Sequence, residues 1–269
     1  MNQTLESQLI SNRRLLWVLV ARDLRARYAG SGLGIFWSVV HPLIMLVLYI
    51  IVFSTLMRGS ALRVHGVVAG YAVFLIPALI AWNWFYESLI GAAGSITGNA
   101  NLIKKVVFPS AILPSINIVA GAIPFAVTMA LFLVFAWFMA GFSIVSVIYL
   151  PLLILLETAL IIGPAYLFAS LNVMLRDTSQ FLIAALQFLF WGTPIVYTPE
   201  ALTVPFPWLA CWFDINPFAH LAGAYRDVII VHRTPMLGSI LYIAIVAIIS
   251  YHAGRTLFLR SRSHFPDEV

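Results

Sequence analysis

Long apolar runs fill most of this chain, and the polar breaks between them define its elements. Residues 1–31 mix polar and apolar positions. Trp17, Val20, Leu24 and Tyr28 recur at helical intervals, with Arg22 and Arg25 on the opposite side. This predicts an amphipathic helix lying in a membrane interface, apolar side down and arginines among headgroups; a plain basic cytoplasmic tail is the alternative. The glycine-rich joint at 30–34 leads into a run at 35–57 that is long enough to span, because about 20 helical residues cross the apolar core. His41-Pro42 should bend its start, and Arg58, Arg63 and His65 mark its exit.

Five further runs follow. The second, 67–86, holds Pro77 and the cluster Trp82-Asn83-Trp84-Phe85-Tyr86, with helix continuing toward Ile96. The third covers 111–140 and the fourth 147–171. The fifth, 181–196, is short, and the sixth covers 237–257. Two charged connectors interrupt the series: N-A-N-L-I-K-K-V-V-F-P at 99–109, and Leu175-Arg176-Asp177-Thr178. Residues 199–233 are apolar and aromatic but punctuated by Pro199, Pro205, Pro207 and Pro217. They are too broken to span and too greasy for an ordinary loop, so two short helices dipping back into the membrane are expected. Such segments are tolerated only where protein or a cavity satisfies the backbone.

The expected fold is an all-α polytopic membrane protein. It has an interface helix within 1–31, a six-helix transmembrane domain over 32–259 and a cytoplasmic tail over 260–269. Composition agrees. Of 269 residues, 62% are hydrophobic and 9% charged, far too few charges for a water-facing surface. Leu15 to Ala21 is short and Arg-flanked, unlike a cleavable leader. The net charge of +5 would suggest nucleic acid in a soluble protein; here it reads as basic loops on one side. With six spans, eleven of the fifteen basic residues share the side of both termini and both connectors: Arg13, Arg14, Arg22, Arg25, Arg27, Lys104, Lys105, Arg176, Arg255, Arg260 and Arg262. The other four are Arg58, Arg63, Arg226 and Arg233. Both termini are therefore expected in the cytoplasm of a multi-pass inner-membrane protein.

No covalent chemistry is legible. The six histidines are scattered, the single Cys211 has no partner to bridge, and no Gly-Lys pair exists to build a phosphate-binding loop. No catalytic residue, metal site or cofactor of the chain's own is expected, and any ATP must be handled elsewhere. Glu87 and Glu157 stand out, since a carboxylate in lipid is costly unless paired, neutral or wet. Glu87 reads equally as a boundary residue, and Glu157 as cavity-facing or interhelical. The aromatics Trp37, Tyr49, Phe53, Trp82, Trp84, Tyr86, Trp191 and Tyr197 are belt or packing residues, or line a path for a solute that stacks on rings. The connector 99–109 is either a topology-setting loop or a short helix anchored by Leu102, Val106 and Phe108 and ended by Pro109.

Several segments together are similar to the membrane subunit of type-2 ABC exporters, in the branch serving O-antigen, capsule and teichoic acid. They are Arg22 to Trp37 (R-D-L-R-A-R-Y-A-G-S-G-L-G-I-F-W), His41-Pro42-Leu43, Trp82 to Phe85, residues 99–109, Leu171 to Asp177 (L-N-V-M-L-R-D) and Asn216 to Arg226 (N-P-F-A-H-L-A-G-A-Y-R). The resemblance implies a homodimer bound to two copies of a separate P-loop ATPase, which holds the ATP and Mg. It implies ATPase coupling by 99–108, with Asn99, Asn101, Leu102, Lys104, Lys105 and Phe108, and by Arg176 and Asp177 of the second connector. It implies gate helices within 199–227, including Trp208, Trp212, Phe213, Asn216 and Pro217. Arg22, Arg25 and Arg27 would meet the pyrophosphate of a lipid-linked glycan, membrane headgroups or the ATPase. Export of another cargo, such as a drug or lipid, and an ATP-independent channel or transporter are the competing readings.

Overall fold

A computed structural model describes residues 5–27, 30–32, 34–56, 62–64, 67–105, 108–141 and 143–268. It is overwhelmingly helical. Two amino-terminal helices, α1 (Leu5–Ser11) and α2 (Arg13–Arg27), precede α3 (Trp37–Leu56). Helix α4 spans Tyr71–Ala93, and the short α5 (Ala100–Lys105) follows a 3-10 turn at Thr97–Asn99. Then come α6 (Ile112–Ala140), α7 (Ile144–Met174) and α8 (Thr178–Trp191). Three short helices, α9 (Pro199–Thr203), α10 (Leu209–Ile215) and α11 (Pro217–Arg226), lead through a π-helical turn at Asp227–Val231 to α12 (Leu237–Ser261) and α13 (Phe265–Glu268).

Among the described residues, α4, α6, α7 and α12 are long and apolar enough to cross a membrane, while α3 and α8 are shorter apolar helices. At 14 residues, α8 rises only about 21 Å, short of a ~30 Å core. The span expected to reach 196 stops at Trp191 because Gly192, Thr193 and Pro194 turn the chain. The segment after α3, where the first span is expected to exit, carries a short strand pair. Leu62–Val64 (β1) pairs antiparallel with Val67–Ala69 (β2), Arg63 opposite Val68. Residues 199–233 hold three short helices and a π turn rather than two helices. Pro199 and Pro217 start α9 and α11, where a missing N–H costs nothing.

Helix α4 is the axis. In its most apolar stretch 72% of residues are buried, against 17% for α12. It packs on α6, α7, α8 and α11, and the largest core cluster forms around Phe74, Ile76, Trp82, Phe85, Phe132, Leu153, Phe218 and Tyr225. The most extensive helix pair is α7 on α12. It is set by small residues: a Cβ on Gly254 would collide with the Gly163 carbonyl, and one on Gly163 with the backbone at Ser250 and Tyr251. In lipid, where apolar burial drives little association, such close backbone approach is how helices adhere.

A second cluster closes one end of the bundle. Leu5, Leu24, Ile96, Ile112, Tyr166, Val173, Phe258 and Phe265 share it, with Ile103 and Phe108 packed against it. Both ends of the chain and both connectors therefore lie at the same end. The tail is docked rather than loose, with Phe265 only 1% exposed. Helix α2 also differs from its expected face. Leu19, Val20 and Leu24 are buried, on a helix that packs against α6, while Trp17 is 61% exposed. Three residues short of Val20, Trp17 sits about 60° round the helix, off the stripe that α6 covers. Tyr28 lies outside the described residues.

Candidate coupling surface and substrate path

The first connector is shaped by its own polar groups. Asn99 Nδ2 donates to the Ser95 carbonyl at 2.8 Å, which holds the 3-10 turn against the end of α4. Helix α5 is six residues long, shorter than the expected 99–108. Asn101 and Lys104 are exposed on it, Leu102 is half-buried, and Ile103 reaches the core. Phe108 anchors the far side as expected. Val106 and Val107 lie outside the described residues, as does the side chain of Lys105.

The second connector meets the first through a residue that the sequence did not single out. Asn172 is buried near the end of α7. Its Oδ1 accepts from Ser179 N at 3.1 Å and Ser179 Oγ at 2.7 Å, closing the α7–α8 turn. Its Nδ2 donates to Thr97 Oγ1 at 3.5 Å, in the turn before α5. Thr97, Asn172, Arg176, Ser179 and Glu268 line one cleft of about 310 Å³. The two connectors and the carboxyl-terminal helix thus form a continuous polar surface, with Arg176 and Asp177 exposed at its edge.

The amino-terminal helices are tied to this end as well. Glu6 accepts from Arg255 Nε at 3.0 Å and from the Tyr251 hydroxyl. Arg27 pairs with Asp23 at 2.8 Å. Arg22, Arg25 and Arg27 are all exposed on α2. Arg22 and Asp23 line a second cleft, of about 280 Å³, with Ser95, Asn99, Asn117 and Gly91. The residue sets expected separately for headgroup contact and for coupling therefore adjoin at Arg22 and Asn99.

The eight aromatics do not share one surface. Trp82 is 4% exposed and meets the Phe218 ring edge-on at 5.0 Å, so it is core packing beneath α11 rather than channel lining. Trp84 is 3% exposed, donates to the Ile118 carbonyl at 3.1 Å and lies 4.5 Å from the Phe125 ring. Only its edge reaches a cleft between α3, α4 and α6. Tyr49 and Phe53 form a ladder with Tyr71 and Phe74, with centroids 6.4, 5.4 and 6.3 Å apart. Trp37 and Tyr86 are half-buried, Trp191 is 59% exposed, and Tyr197 donates to the Trp191 carbonyl at 2.6 Å.

The broken segment is held down at several points. Asn216 caps α11, its Oδ1 accepting from Phe218 N at 3.0 Å, while its Nδ2 donates to Thr193 Oγ1 at 2.7 Å. Trp212 Nε1 donates to the Gly192 carbonyl at 2.6 Å, and Phe213 is buried. Trp208 points outward at 71% exposure, and Pro217 starts α11. The Tyr71 hydroxyl bonds the Val196 carbonyl. Arg226, buried, donates to the carbonyls of Phe74, Pro194 and Ile195 at 3.1, 2.8 and 2.8 Å. It is no loop charge, so the topology count drops from four cations to three on its side. Glu157, 0% exposed, accepts from the Tyr225 hydroxyl at 2.6 Å, an interhelical role. One signal for Arg226 was legible: a lone arginine inside an apolar, aromatic stretch must find partners.

The sequence has counterparts. Residues 14–230 match the ABC-2 type transporter family. The chain belongs to that family. It is 31% identical to an O-antigen export system permease protein RfbA of Klebsiella pneumoniae over 79% of each chain. It is 27% identical to the Myxococcus xanthus protein of the same name over 97% of this chain and 98% of that one. A capsule polysaccharide export inner-membrane protein CtrC of Neisseria meningitidis serogroup B is 30% identical over 34% of this chain. As an ABC-2 membrane component, the chain supplies the membrane passage of a transporter.

Proposed function

We propose that this chain is the channel-forming permease of an ATP-driven exporter for a lipid-linked polysaccharide of the O-antigen, capsule or teichoic acid type. It works as a homodimer in the bacterial inner membrane, both termini cytoplasmic, with two copies of a separate P-loop ATPase that carry the ATP and Mg. What supports the cargo is a likeness running almost end to end to the Myxococcus xanthus O-antigen permease.

The mechanism is mechanical. ATP binding closes the ATPase pair, and the pair pushes on the polar surface made by Thr97, α5, Arg176 and Glu268. Because Asn172 joins the two connectors, displacement of one is carried to the other and into α7 and α8. The helices separate along the dimer seam, and the segment over 199–233 opens the outer side. Arg22, Arg25 and Arg27 offer guanidinium groups to pyrophosphate oxygens at the cytoplasmic face. The test is deletion of the gene followed by fractionation. Lipid-linked polymer trapped in the cytoplasm supports the reading. Normal surface glycan with a lost drug or lipid efflux would overturn it.

A further inference from the structure

Helix α4 is the most buried span, yet it exposes two residues, and both are polar: Asn83 and Glu87. They continue into Gly91 and Gly94 at intervals of three or four, so all four lie on one stripe of the helix. On α6, Asn117, Gly121, Pro124 and Thr128 form a matching stripe. Two clefts open on these stripes. The one of about 240 Å³ has His41, Asn83, Glu87 and Thr128 in its walls, and the one of about 280 Å³ has Arg22, Asn99 and Asn117. Between them the seam closes at Gly91 and Asn117, where a Cβ on Gly91 would come within 2.5 Å of Asn117 Oδ1. Along the α4–α6 seam they form one interrupted furrow, with α3 beside the first cleft and α2 beside the second. From Asn83 to Gly94 it climbs about 17 Å, more than half of a ~30 Å apolar core.

A carboxylate and a primary amide facing such a furrow demand a polar occupant, since neither is stable against hydrocarbon. The charges are ordered. Arg22 is at one end, and its neighbour Asp23 is engaged by Arg27 at 2.8 Å. Glu87 is at the other end, where an anion would be repelled. Hydroxyl groups are what suit that end: Glu87 accepts and Asn83 both donates and accepts.

We propose that this furrow seats the polar head of the lipid-linked substrate during loading. The pyrophosphate lies at Arg22, the first sugars lie between Asn83 and Glu87, and the hydrocarbon tail stays in the bilayer. The inference rests on the polysaccharide reading above and adds a site and an orientation to it. It also places the head against Asn99, so loading touches the segment that the ATPase moves.

Photo-crosslinking in whole cells, with the native ATPase present and a tritiated sugar fed as label, tests it. A photoreactive residue at Met45, in the furrow wall, should capture tritiated glycan. One at Leu155, on the outer face of α7, should yield no tritiated adduct. Asn83→Leu or Arg22→Gln should lower the Met45 adduct about tenfold, the factor for losing one strong hydrogen bond. Glycan adducts at Phe188 of α8 but none at Met45, or Met45 adducts indifferent to both substitutions, would overturn the furrow and leave the exporter standing. No glycan adduct at any position, with surface glycan intact after gene deletion, would overturn both.

Discussion

Arg226 lies over the ring of Phe74, its guanidinium carbon 3.7 Å from the centroid. With its three carbonyl partners, this one side chain ties α11 to the start of α4 and to the turn after α8. The planar fork matters, since a lysine cannot reach three diverging acceptors and cover a ring at once. Arg226→Met should cost about 2–4 kcal/mol by leaving dry carbonyls without donors. A lower unfolding temperature in detergent and faster proteolysis between Pro199 and Asn216 would register it. Arg226→Lys should fall between, and a variant as stable as the parent would remove the role.

Asn172 carries a different kind of prediction, because it couples segments more than it stabilises either. Asn172→Ala removes the link to Thr97 and the bonds from Ser179, a loss of about 1–2 kcal/mol spread over exposed turns. The chain should still insert and bind its ATPase. ATP hydrolysis should persist while surface glycan drops, which is uncoupling. Proportional loss of both would mean that Asn172 only supports folding.

Much of this was legible beforehand because lipid simplifies the code. A run such as 112–140 has few choices but a helix, so the elements appeared in the right order within a few residues. What escaped was set by contacts distant in sequence. Trp82 looks like part of a ring-lined path until α11 folds over it, and Val20 and Leu24 look lipid-facing until α2 packs against α6. The furrow was invisible for the same reason. The spacing of Asn83 and Glu87 puts them on one stripe of α4, but only the meeting of α4 with α6 brings Thr128 to the same cleft.

The crossing of α7 and α12 tests the packing directly. Gly163→Ala must push two backbones apart, an overpacking cost of about 1–3 kcal/mol. Gly254→Ala should behave alike. Gly238→Ala, at the start of α12, meets nothing within 4 Å and should leave stability and export unchanged. Thermal unfolding of the three variants side by side decides it, and equal values would mean that the helices shift freely.

Lys104 is exposed on α5, at the end of the bundle where both connectors converge. Replacing Lys104 and Lys105 together by Glu reverses the charge presented to a docking partner without touching Ile103 or Phe108. Charge reversal on a binding surface mainly slows association and makes it salt-sensitive. The chain should reach the membrane at normal levels, co-purify with less ATPase, and export little. Unchanged hydrolysis and export would show that the lysines orient the segment and make no contact.

Cys211 offers a native reporter of orientation. It is the sole cysteine, exposed on α10. The bundle places it away from the end that holds Leu5 and Phe265, because α8 runs from the connector end toward the short helices. If both termini are cytoplasmic, Cys211 faces outward. A membrane-impermeant maleimide should then label the native protein in intact spheroplasts, and Cys211→Ser should abolish the signal. In that background Ser263→Cys, exposed beyond α12, should label only after lysis. The reverse pattern would invert the topology, and with it the assignment of Thr97, α5 and Arg176 to the ATPase side.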